Sequence, residues 1–169
     1  FFEDADLPIR EPADIFTLAR RDAENLKKLK DKEGFGALSV KNLFEAIEKS
    51  RAVPLDRLIA ALGIRHVGET TARVLARAYG TWQAFHDAAV RLAEGDEETR
   101  HELDSLDQIG DAVIDAVAAF FAEPRNRAMV ERLVAELDVR EAEKPKSDTP
   151  VAGKTVVFTG ALERFTRDE

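Results

Sequence analysis

Up to about residue 138, apolar residues recur at the spacing of a helix. Val40, Leu43, Phe44 and Ile47 fall at intervals of 0, 3, 4 and 7, and Leu55, Leu58, Ile59 and Leu62 repeat that interval. Val113, Ile114, Val117, Phe120 and Phe121 cover one broad face, as do Met129, Val130, Leu133, Val134 and Leu137. Such stripes predict short amphipathic helices around a shared core. Pro12 and Pro54 are expected at first helical positions, and Thr81 follows Gly80 as an N-cap follows a C-cap. Trp82 and Phe85 are spaced as a core-facing helix edge. Residues 139–152, "VREAEKPKSDTPVA", lose the period and gather Pro, Ser, Lys and Glu, which predicts a linker. Beyond it "KTVVFTG" reads as a strand.

Aligning glycines with the helices that follow them uncovers a repeat. Glu33–Ile47 ("EGFGALSVKNLFEAI"), Arg65–Tyr79 ("RHVGETTARVLARAY") and Asp107–Phe121 ("DQIGDAVIDAVAAFF") share one frame. Each has an apolar residue (Phe35, Val67, Ile109), a glycine (Gly36, Gly68, Gly110), three mostly small or polar residues, and then an apolar stripe. A short amphipathic helix is expected before each. The unit is helix, tight hairpin, helix, with the glycine before the second helix expected to take a backbone turn closed to other residues and to remove the side chain that would block close approach.

The first amides of a helix have no intrahelical acceptor and stand at the positive end of its dipole, so a hairpin leading into a helix is a site for an anion. A phosphodiester oxygen suits it, because that contact reads no base. Gly34, Gly36, Ser39 and Lys41 in the first unit, Arg65, His66, Gly68, Thr70 and Thr71 in the second, and Gly110 in the third are the candidate contacts. Asp107 and Asp111 flank Gly110 and are expected to weaken the third. The alternative is a helical protein-interaction domain in which the hairpins are only structural turns.

Charge sharpens this picture. The chain carries a formal net charge of -8, yet residues 52–80 hold four basic and two acidic residues, net +2, against -1 before and -9 after. A local positive field at a hairpin can serve a phosphate within an acidic chain. With 44% hydrophobic and 34% charged residues the chain reads as helix-rich and globular, and no apolar run approaches the roughly 20 residues of a membrane span. Zero cysteines exclude disulfides and cysteine zinc sites, consistent with a reducing, cytoplasmic setting. A start without Met and an end within "RFTRDE" suggest a piece of a longer protein.

Other patterns lead nowhere. "GKT" at 153–155 has Asp148 where a phosphate-binding loop needs glycine, and "HELDS" has Ser105 where a zinc protease needs a second histidine. His86 and His101 are expected on the surface without metal, Arg73 and Arg77 on a solvated face, and "EGDEETRHELDSLD" as a solvated acidic segment.

The hairpin pattern, with "ALGIRHVGETTA" and "FFAEPRNRAMVERL" in that order, resembles the helix-hairpin-helix domain of bacterial NAD-dependent DNA ligases. "VAGKTVVFTGALERFTRDE" is similar to the start of the BRCT domain that follows in that family. The resemblance covers essentially the whole chain. It implies an all-α domain of tandem helix-hairpin-helix repeats at 1–138, a linker at 139–152 and a truncated α/β BRCT start at 153–169. It further implies gripping of nicked duplex DNA through backbone phosphates, without sequence reading, inside an enzyme of replication and repair. That family has four hairpins, of which three are here. The family's K-x-D-G lysine, its NAD site and its magnesium and zinc sites belong to absent domains. No K-x-D-G occurs here, so the chain alone is expected to be catalytically silent, with no cofactor. The open edges of "KTVVFTG" are expected either to stay unpaired or to self-associate with another copy.

Overall fold

The computed structural model describes residues 6–142. Among them are nine α-helices: α1 Pro12–Phe16, α2 Leu18–Glu24, α3 Ala37–Ser50, α4 Leu55–Ala61, α5 Glu69–Tyr79, α6 Trp82–Ala93, α7 Glu97–Asp104, α8 Asp111–Ala122 and α9 Pro124–Ala135. The expected all-α, helix-hairpin-helix class is what the chain adopts. Pro12 opens α1 as expected, whereas Pro54 is the residue before α4, because it ends a short strand. Thr81 caps α6 by accepting the Ala84 N–H at 3.2 Å, and Asp96 caps α7 through the Thr99 N–H at 3.3 Å.

Two hydrophobic clusters hold the described residues together. The larger gathers α4 to α9: Leu55, Ile59, Leu75, Ile114 and Phe121 are wholly buried. Phe85 stands edge-on to Phe121, ring centroids 6.1 Å apart. The smaller gathers Leu7, Leu18, Leu29, Val40 and Ile47 beneath α2 and α3. The Phe16 ring packs against both. The first hairpin therefore rests on the smaller cluster, and the other two rest on the larger.

One expectation changes at residue 139. The helical period ends near there because the chain turns into a strand: β2, Asp138–Arg140, pairs in parallel with β1, Ala52–Pro54, with Val53 opposite Val139. The Asp138 N–H donates to the Arg51 carbonyl at 2.8 Å and the Ala142 N–H to the Gly80 carbonyl at 2.9 Å. Residues 139–142 are thus anchored. A three-residue strand lacks the alternation that would flag it in the sequence. The remainder of the expected linker and the tail at 153–169 lie outside the described residues.

Candidate nucleic-acid interface

The three hairpins share one backbone. In each, an N–H closes a four-residue turn: Phe35 to the Lys32 carbonyl (3.1 Å), Val67 to that of Ile64 (3.0 Å), Ile109 to that of Leu106 (3.2 Å). The third residue of each turn is left-handed: Gly34 at φ 86°, His66 at 65° and Gln108 at 69°. Across residues 6–142, His66 and Gln108 are the non-glycine residues with positive φ. A turn of this kind needs φ above zero at its third position, which only glycine adopts without strain. Two unrelated side chains accept that strain at the same place.

This corrects the role expected for the glycine before each helix. Gly36, Gly68 and Gly110 have φ of -108°, -93° and -106°, open to any residue. A Cβ added to any of the three would meet nothing within 4 Å. The unusual backbone lies two positions earlier, and the chain's own packing does not require glycine here. What a side chain would crowd is the space in front of the next amides.

Those amides are open. Lacking side chains, Gly36, Gly68 and Gly110 cap nothing, in contrast to Thr81 and Asp96. The leading N–H groups of α3, α5 and α8 stand at the positive helix ends, although in α8 the Val113 N–H is taken by the Gly110 carbonyl at 3.1 Å. Beneath each turn the apolar residue is the anchor: Val67 and Ile109 are buried, and Phe35 packs against the smaller cluster.

Around the open amides the predicted contacts fall as follows. Gly34, Gly36, Ser39, Lys41, Arg65, His66, Gly68, Thr70 and Gly110 are exposed and Thr71 is half-buried. Ser39 and Thr71 are the third residues of α3 and α5, so each hydroxyl belongs to the first turn. Lys41 is the fifth residue of α3, 4.0 Å from the Glu45 carboxylate. Arg65 and His66 line one side of a cleft of about 580 Å³, whose other side is Ala112, Asp115, Ala116, Ala119 and Phe120 of α8. The second and third units thus meet side by side. The first stands on the other cluster.

The third hairpin is less acidic in effect than its sequence. Arg100 on α7 holds Asp115 at 2.9 Å and Asp111 at 3.1 Å. These partners lie 11 and 15 residues away, so no helical spacing announces the pairing. Asp107 remains exposed.

Other expectations move. The first unit is preceded by a three-residue 3-10 turn, Leu29–Asp31, instead of an amphipathic helix. His86 is half-buried instead of fully at the surface: its ring packs against Trp82 (5.6 Å) and Phe121 (5.8 Å). Trp82 is half-buried and Phe85 wholly buried, as the spacing predicts. No cluster of three or more His, Asp or Glu side chains able to hold a metal exists among the described residues. No helix there is long and apolar enough to cross a membrane.

Residues 57–130 match the helix-hairpin-helix motif family. That match takes in the second and third hairpins and leaves the first outside, although its backbone is the same. The chain is 64% identical over 169 residues to a DNA ligase of Chelativorans sp. (strain BNC1), covering all of this chain and 24% of that protein. It is 59% identical over 161 residues to a DNA ligase of Bradyrhizobium diazoefficiens, covering 95% of this chain and 22% of the relative. Against a DNA ligase of Agrobacterium fabrum it is 54% identical over 173 residues, covering 100% and 24%. The chain is therefore similar, along its whole length, to about a quarter of proteins named DNA ligase, and it carries the helix-hairpin-helix motif.

Proposed function

We propose that this chain is the part of a DNA ligase that holds duplex DNA by its backbone phosphates, without reading sequence, while nick sealing takes place elsewhere in the parent protein. The observation that carries the reading is the triple occurrence of one hairpin backbone, each ending in a glycine that the fold itself does not need and opening on uncapped helix amides. A Cβ there would crowd no neighbour in the protein and would crowd an approaching phosphate. Repeated phosphates on a polymer are the natural partner of a repeated anion site. The similarity to DNA ligases supports the same partner.

In this reading Arg65, Lys41 and the hydroxyls of Ser39, Thr70 and Thr71 add charge and second hydrogen bonds beside the amides. The paired hairpins lie across the minor-groove side. Transfer of AMP from NAD, and the magnesium and zinc sites, belong to other parts of the parent polypeptide, so this chain performs no chemical step. The expected setting is the cytoplasm, in replication and repair.

The test is a salt titration of binding to a fluorescent nicked duplex. With two or three cationic contacts, log affinity falls against log salt with a slope of roughly -2 to -3, equally for scrambled sequences. A flat salt response would instead favour a protein-interaction domain built on the same turns.

A further inference from the structure

The first hairpin and the other two stand on separate hydrophobic clusters, so something must hold their relative position. Beside the shared Phe16 ring, the polar contacts across that seam converge on one side chain. Arg51, between α3 and β1, donates through Nη1 to the Glu136 carbonyl (2.7 Å) and to Glu136 Oε2 (3.1 Å), and through Nη2 to the Phe16 carbonyl (2.5 Å). Its Nε meets Glu48 Oε1 at 2.9 Å, and its guanidinium carbon lies 5.5 Å from the centroid of the Phe16 ring that both clusters share. Glu136 also receives Arg20 at 3.5 Å, while Arg132 on α9 reaches Glu11 at 2.7 Å. None of these partners of Arg51 is a hairpin residue. It joins the end of α3, whose other end is the first hairpin, to the end of α9 in the larger cluster.

We propose that Arg51 is a positioning residue for DNA: it sets the first hairpin at a fixed distance from the second and third, so that all three reach one duplex as a single rigid ruler. The role rests on the DNA-holding reading above. Linked sites gain affinity only when their geometry lets them engage together, and the gain falls when the link loosens. A planar fork that spans two backbone carbonyls and two carboxylates is suited to fixing that geometry, and a lysine could not make the same set of bonds.

The experiment is a set of double-mutant cycles on the whole chain, read by fluorescence anisotropy with a fluorescent duplex at low salt. Gly36→Asp blocks the first hairpin and Gly68→Asp the second, each placed in the Arg51 and the Arg51→Ala backgrounds. Arg51→Ala should weaken binding roughly tenfold, a fraction of what linkage can supply. Gly36→Asp should then lose most of its effect in the Arg51→Ala background, while Gly68→Asp costs the same factor in both. A purely structural arginine would lower the melting temperature and leave both glycine effects unchanged, which overturns the proposal, as does unaltered affinity in Arg51→Ala. If Gly68→Asp is silent with Arg51 intact, the DNA reading itself fails and takes the Arg51 role with it. Should Arg51→Ala lose its helical circular-dichroism signal, Arg51→Lys carries the same cycles, with the same outcomes deciding.

Discussion

Gly34 and Gly36 are two residues apart, and physics asks different things of them. Gly34 occupies a left-handed backbone, so Gly34→Ala should lower stability by about 1 kcal/mol. Gly36→Ala and Gly68→Ala, with ordinary φ and free space around an added Cβ, should leave the melting temperature nearly unchanged yet weaken duplex binding. Thermal melts paired with anisotropy would check this, and equal losses of stability and binding at Gly68 would mean a structural glycine. Tyr79 offers a pH test at the same scale. Burial, reinforced by the charge of Glu102, pushes its phenol up to about 12, and its buried hydroxyl finds no partner among the described residues. A raised pKa means full stability below the unfolded value of about 10 and loss as pH climbs through the folded one. Tyr79→Phe should therefore flatten the alkaline fall between those limits in denaturant titrations, at little cost near neutrality. At the acid end, burial of Asp14 opposes its charge but is outweighed by the Arg10 and Glu11 N–H bonds and by Arg21 and Arg132, leaving its pKa lowered. Its contribution is present above the unfolded carboxylate range and is lost as pH falls through the lower folded value.

Among the elements, α8 is the one on which both the packing of the larger cluster and the third hairpin depend. Phe121 is wholly buried and ringed by Phe85, His86 and Phe120, so Phe121→Ala should destabilise by about 3–5 kcal/mol in urea unfolding. Strand β2 is short but closes the seam beside Arg51. Stopping the chain after Ala142 should keep helicity, melting temperature and duplex binding. Stopping it after Leu137 removes the β1 pairing and the Asp138 and Ala142 bonds, and should lower the melting temperature by several degrees in calorimetry. Identical melts for the two truncations would show β2 to be dispensable.

For the molecule as a whole, the acidic total and the phosphate reading are reconciled by placement. The basic stretch at 52–80 includes the second hairpin, and Arg100 offsets Asp111 and Asp115 beside the third. Arg100→Ala should leave the fold intact, since the pairs are exposed and surface ion pairs contribute little. It should weaken duplex binding by releasing two carboxylates next to the open amides of α8. An unchanged affinity would assign the third hairpin to structure alone.

The sequence by itself determined the helices, the three hairpins and their apolar anchors, because each depends on residues within a dozen positions: Phe35, Val67 and Ile109 before glycine, then a stripe at helical spacing. The candidate residues it singled out at the hairpins are exposed but for the half-buried Thr71, since exposure at a turn follows from local geometry. What only the tertiary structure decided depends on distant partners. The repeat frame sets His66 and Gln108 where the first unit has Gly34, but their residue types do not announce a left-handed backbone, whose strain is borne where Val67 and Ile109 are held in the core. The inward turn of His86 required the Phe121 ring on another helix to be in place. The division into two clusters, and Arg51 bridging them to Glu136 across 85 residues, arises from packing that no periodicity encodes.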